Sequence, residues 1–136
     1  MSNSSNTRES SRWFRTAQAD LAAARDLNAS GHFAQACFLC QQAAEKAVKA
    51  ALFSLDADPR GHSVTRLLAA ARESMPVTGD EITSLVEDAE VLDRFYVPTR
   101  YPNGLPELIP SEMYKQKDAE RALAAATRIL DAVANH

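Results

Sequence analysis

The stretch ACFLCQQAAEKAVKA, residues 36–50, decides the fold. Around it Phe33, Cys37, Cys40, Ala44, Val48, Ala51, Leu52 and Leu55 recur at helical spacing along one side, and Gln42, Glu45, Lys46 and Lys49 form a polar flank. That is the period of an amphipathic helix, and the strict alternation of a half-buried strand is missing. No glycine or proline interrupts it, so a long, unusually apolar helix is predicted from about His32 to Leu55.

Upstream, Trp13, Ala17, Leu21, Ala24 and Leu27 or Asn28 give a second apolar stripe that Gly31 ends, with Asp20 beside it. Residues 1–9 are polar and Ser/Asn-rich and read as a disordered tail, so the domain is expected over 10–136. Downstream, DADPRGHS must turn, and Val64, Leu67, Leu68, Ala71 and Met75 mark a short third helix closed by Pro76. Thr78 and Glu81 stand at capping-box spacing and open a fourth helix that buries Ile82, Leu85, Val86, Ala89 and Leu92. Glu87, Asp88, Glu90 and Asp93 make its outer side acidic. RYPNGLPELIP, with three prolines, is an irregular loop. Ser111 is placed to cap a last helix carrying Met113, Tyr114, Ala119, Leu123, Ala126, Ile129, Leu130 and Val133. The expectation is an all-α, up-and-down bundle of about five helices.

Composition agrees. The 136 residues are 46% hydrophobic and 24% charged, enough for one packed core and too apolar for disorder. A net charge of −3 supplies no broad positive field for coating nucleic acid, although a local basic site stays open. Cys37 and Cys40 lie inside a helix without a second Cys or His pair at ligand spacing, so they read as reduced core thiols, with no metal or other cofactor expected. The N-terminal MSNSSNTRESS has no apolar secretion core and no run of about 18 apolar residues occurs, which points to a cytoplasmic chain without membrane contact.

The run DRFYVPTRYP, Asp93 to Pro102, is the densest group of chemically capable side chains. Arg94 and Arg100 stand near Tyr96 and Tyr101 where a helix gives way to a rigid loop. Guanidinium forks match phosphate or carboxylate oxygens, and a tyrosine stacks or donates, which suits an anionic or nucleotide-like ligand. The same residues also serve structure, the arginine offsetting a helix dipole and Tyr96 filling the core. Gln42, Glu45, Lys46 and Lys49 line a groove on one reading and form a solvated flank, with Glu45 and Lys49 an ordinary surface pair, on the other. His62 is either a proton carrier or ligand, or a turn residue engaged in capping and packing.

Four pieces occur in order: Trp13, Ala17, Asp20 and Leu21; the 36–50 stretch; Pro59 with His62, Ser63, Val64, Leu67 and Leu68; and TRYP at 99–102. This ordered set resembles the HEPN family, the higher eukaryotes and prokaryotes nucleotide-binding domain, from Trp13 to about Val133. The resemblance implies a helical bundle that dimerises. It also implies pairing with a minimal nucleotidyltransferase in a toxin–antitoxin-like system, and a nucleotide site or RNA-cleaving centre at the dimer cleft. Ribonuclease members carry an Arg followed after roughly four to six residues by a His that transfers protons beside the phosphate-holding Arg. Here no His follows Arg94 or Arg100 until His136, and the Arg25 to His32 spacing falls on the wrong element. No catalytic residue is therefore assigned. A homodimeric binding module using Arg94, Tyr96, Arg100, Tyr101, Gln42, Lys46, Lys49 and His62 is expected, for a nucleotide or RNA ligand or a nucleotidyltransferase partner. The alternatives are an endoribonuclease toxin in which His62 or Tyr101 replaces the absent His, and a ligand-free scaffold or antitoxin-like subunit.

Overall fold

The computed structural model describes residues 2–72, 75, 77–96 and 107–135, with side chains from residue 6 onward. Among the described residues six helices follow one another: α1 (Ser2–Ala29), α2 (Phe33–Ser54), α3 (Val64–Ala71), α4 (Gly79–Asp93), α5 (Pro110–Met113) and α6 (Gln116–Ala134). Among the described residues there is no strand. The expected all-α, up-and-down bundle is what the chain forms.

α2 is the axis. Fourteen of its 22 residues are buried, and it packs against α1, α3, α4, α5 and α6. A helix apolar on nearly every side belongs in the middle of a bundle. Its alanines at 34, 36, 43, 44, 47, 50 and 51 are all buried and leave room for neighbouring backbones to approach closely. The core they share takes Leu52 from α2 itself and adds Leu21, Leu68, Leu92, Ile129 and Leu130 from the surrounding helices.

α1 lies antiparallel along α2. Gly31, at φ 82°, takes the left-handed conformation that glycine tolerates, and the chain closes as a Schellman motif. His32 N–H donates to Leu27 O at 2.8 Å and Gly31 N–H to Asn28 O at 3.1 Å. The end of α2 repeats this arrangement with Asp56 at φ 56°, Ala57 N–H donating to Leu52 O and Asp56 N–H to Phe53 O.

Five expectations about boundaries and caps change. α1 begins at Ser2, so residues 2–9 are helical and not a loose tail. Asn6 Nδ2 donates to Asp56 Oδ1, just past the end of α2, and Ser10 Oγ, next in α1, donates to Ala50 O at 2.7 Å. The single last helix is two. Pro110 at the first helical position starts α5, the chain becomes extended at Tyr114, and Lys115 N–H donates to Asp118 Oδ2 at 2.8 Å to open α6. Ser111 therefore lies inside α5 and caps nothing. α3 ends at Ala71, short of Met75, and Leu55 is an exposed C-cap, off the core stripe.

The Thr78 cap forms as expected, its hydroxyl accepting from Glu81 N–H at 3.1 Å. Cys37 and Cys40 are fully buried and unpaired. Burial, helped by the charge of Asp118, pushes the Cys37 thiol up to about 12, and burial beside Cys37 does the same to Cys40. Thiols so protonated are packing residues.

Candidate functional site

The polar flank of α2 is not a solvated face. Gln41 is 0% exposed, Glu45 4% and Lys49 9%, because α1 and the turn before α3 close over them. Lys49 Nζ stands 3.2 Å from Glu45 Oε2 and 5.6 Å from the centre of the Trp13 ring, which itself stacks on Phe53. Gln42 Nε2 donates to Gln41 Oε1 at 2.7 Å, and Gln41 Nε2 donates both to Glu45 Oε1 and to the carbonyl of His62, each at 3.1 Å. Lys46 pairs across to α1, at 2.7 Å from Asp20 Oδ2.

The turn between α2 and α3 brings His62 to this network. Gly61, at φ 106°, supplies a backbone angle that side-chain-bearing residues rarely take. His62 Nδ1 lies 3.3 Å from Glu45 Oε2, and its ring stacks on Tyr96 with centroids 5.2 Å apart and planes within 16°. Ser63 follows as the N-cap of α3.

Asp93, read from sequence as one more outward acid, is the clamp that fixes this corner. Its carboxylate accepts from Ser63 Oγ at 2.9 Å, Val64 N–H at 2.6 Å and Thr65 N–H at 3.1 Å. The last residue of α4 thus satisfies the open donors of the first turn of α3, where a negative charge is favoured. His62, Ser63, Asp93 and Tyr96 line a surface cavity of about 190 Å³. A larger one, about 340 Å³, opens on the α1 side between Arg12, Trp13, Thr16 and Lys46.

Of the residues picked from sequence, Gln42, Lys49, His62 and Tyr96 are joined, directly or through Gln41 and Glu45, into one network. Lys46 borders it from the α1 side. Arg94 is exposed at the C-cap of α4, two residues from Tyr96. Arg100 and Tyr101 lie outside the described residues. Gln41 and Asp93 were missed as site residues. Gln41 carried a faint signal in its helical i, i+4 spacing to Glu45. Asp93 carried none, because its partners are 28–30 residues away. Among the described residues no group of His, Cys, Asp and Glu side chains is placed to hold a metal ion, and no helix is long and apolar enough to cross a membrane.

A second polar cluster ties α4 to α6. Asp88, also read as an outward acid, is 1% exposed. It accepts from Arg128 through both oxygens at 2.7 Å and from Arg121 at 3.0 Å. The hydrogen bonds to Asp88 raise the Arg128 guanidinium above its already high value, so it stays charged.

The sequence model of the HEPN domain matches residues 10–136. Among solved structures the chain is similar to TT1696 from Thermus thermophilus, with a TM-score of 0.85 and 38% identity over 93% of this chain and 96% of that one. It is similar to ST0689, an archaeal HEPN homologue, with a TM-score of 0.76 and 36% identity over 93% and 95% of the two chains. Among curated proteins it is 29% identical over 126 residues, 89% of this chain and 83% of the other, to a Methanocaldococcus jannaschii protein named "Putative toxin MJ1304". With a family match over nearly its whole length and the same helical architecture in these relatives, the chain belongs to the HEPN domain family.

Proposed function

We propose that this HEPN domain is a non-catalytic binding module, working as a homodimer, that takes a nucleotide-like or other anionic ligand at the corner where α2, the α2–α3 turn and the end of α4 meet. One observation carries the reading: His62 and Tyr96, stacked on each other, form an aromatic wall of an open cavity that Ser63 and Asp93 complete, and the exposed Arg94 stands two residues before Tyr96 in the chain. Stacking surfaces beside cationic groups suit a base carrying phosphate. Arg100 and Tyr101, a few residues on in sequence, extend the same chemistry. A minimal nucleotidyltransferase is the proposed protein partner, in a toxin–antitoxin-like pair.

The name of the M. jannaschii relative favours a second reading, an endoribonuclease toxin in which His62 or Tyr101 moves the proton. Tyrosine, with an ordinary pKa near ~10, is a poor base at neutral pH. Titration with ATP and other nucleotides, followed by thermal unfolding, separates the two when run beside incubation with structured RNA. Nucleotide-dependent stabilisation that is lost in Arg94→Ala and Arg100→Ala supports the binding module. RNA cleavage that disappears in those variants supports the toxin, and neither response leaves the ligand-free scaffold.

A further inference from the structure

The corner spends buried charge to hold an exposed ring. Taking a carboxylate and an ammonium out of water is unfavourable, and close pairing only partly offsets it, so apolar side chains would serve packing better. Glu45 and Lys49 nevertheless lie buried, and their network ends on His62, whose side chain is 62% exposed. An exposed side chain ordinarily keeps its rotamer freedom. This ring is held two ways, by Glu45 at Nδ1 and by the parallel Tyr96 ring, on a backbone that Gln41 anchors at the His62 carbonyl.

The chemistry of the contact sets the proton. A carboxylate accepts and has nothing to donate, so a neutral imidazole facing it at Nδ1 carries its hydrogen there and keeps the lone pair on Nε2. Among the described residues Nε2 has no protein partner. The neighbouring acid does not compete, since the Asp93 oxygens are taken by Ser63, Val64 and Thr65.

We infer that Glu45 is a positioning residue that holds His62 in the Nδ1–H tautomer, leaving Nε2 as a hydrogen-bond acceptor for an O–H or N–H group of the molecule bound at this corner. The ligand half of this inference rests on the binding reading above. The tautomer half does not. The ligand keeps its proton and shares it with the Nε2 lone pair as a hydrogen bond.

Long-range proton–nitrogen NMR on the full-length ¹⁵N-labelled protein, at a pH where the ring is neutral, reads the tautomer directly. Expected are a protonated Nδ1 and a bare Nε2 for His62, with His32, whose side chain caps nothing, as the internal reference. Glu45→Gln, checked for helicity, is expected to shift the population several-fold toward Nε2–H, while Tyr96→Leu leaves it in place. A native His62 in the Nε2–H form, or a population unchanged in Glu45→Gln, overturns the inference. Adenosine monophosphate, added as the probe, supplies the other arm. No thermal stabilisation of the native protein defeats the binding reading whatever the tautomer, and stabilisation retained in full by His62→Phe removes the Nε2 contact.

Discussion

Two buried carboxylates, Asp88 and Glu45, recruit cations in this molecule and do so to different ends. Asp88 is satisfied on both oxygens by Arg121 and Arg128, each side chain 40–50% exposed, so the charge is neutralised from outside and the cluster closes on itself. Glu45 is satisfied from inside, by Gln41 and the buried Lys49, and passes its remaining contact outward to an imidazole at the rim of a cavity. A buried acid is therefore no sign of a site by itself. What separates them is where the last hydrogen bond of the network ends, on a solvated guanidinium that pins two helices together or on a ring with a nitrogen to spare.

The comparison breaks most visibly at Asp88. The double variant Arg121→Ala/Arg128→Ala strands a buried carboxylate and is expected to cost about 3–5 kcal/mol in denaturant unfolding, with nucleotide response per folded molecule unchanged. A loss below about 1 kcal/mol would mean that Asp88 reaches water and the cluster is not a lock. Lys49→Ala is expected to cost about 2–3 kcal/mol, less because His62 and Gln41 still face Glu45, and unlike the arginine pair it should also abolish the nucleotide response.

The core thiols give a pH-dependent contrast with both clusters. Their folded-state values, about 12, stand above the ordinary 9.0, so the unfolded chain loses these protons first and stability falls as pH rises through 9 toward 12. By pH 10 the loss is about 1.4 kcal/mol per thiol. Unfolding measured between pH 8 and 10 should flatten by that amount for each thiol removed in Cys37→Ala and Cys40→Ala, and an unaltered slope would show that the thiols ionise freely in the fold. The smallest effect is expected from Lys46→Ala, about 0.5 kcal/mol, because its pair with Asp20 is partly solvated.

Much of this architecture can be read from the chain. The spacing from Phe33 to Leu52 places α2, Gly31 ends α1, and Thr78 with Glu81 opens α4, because each is a local rule whose partners lie within a turn or two. The errors have the opposite character. Glu45 and Lys49 look like a surface pair at helical spacing until Trp13 and the His62 turn arrive from elsewhere in the chain to bury them. Asp88 and Asp93 read as outward acids for the same reason, since their partners sit on α6 and α3. The break before α6 hides in an ordinary Tyr-Lys step, where the Asp118 side chain competes for the backbone. Of the candidate site, His62, Lys49, Gln42 and Tyr96 could be picked by residue type; their joining through Glu45 and Gln41 could not.

The three-residue link at Gly31 has a kinetic consequence. Among the described residues it joins the two longest helices, whose mutual contact is the most extensive between any two, and closing so short a loop costs little chain entropy. The α1–α2 hairpin is thus the natural folding nucleus, with α4 and α6 docking afterward across larger sequence separations. Substitutions at Ala17 or Ala44 should slow folding, whereas those at Ala89 or Ile129 should chiefly speed unfolding.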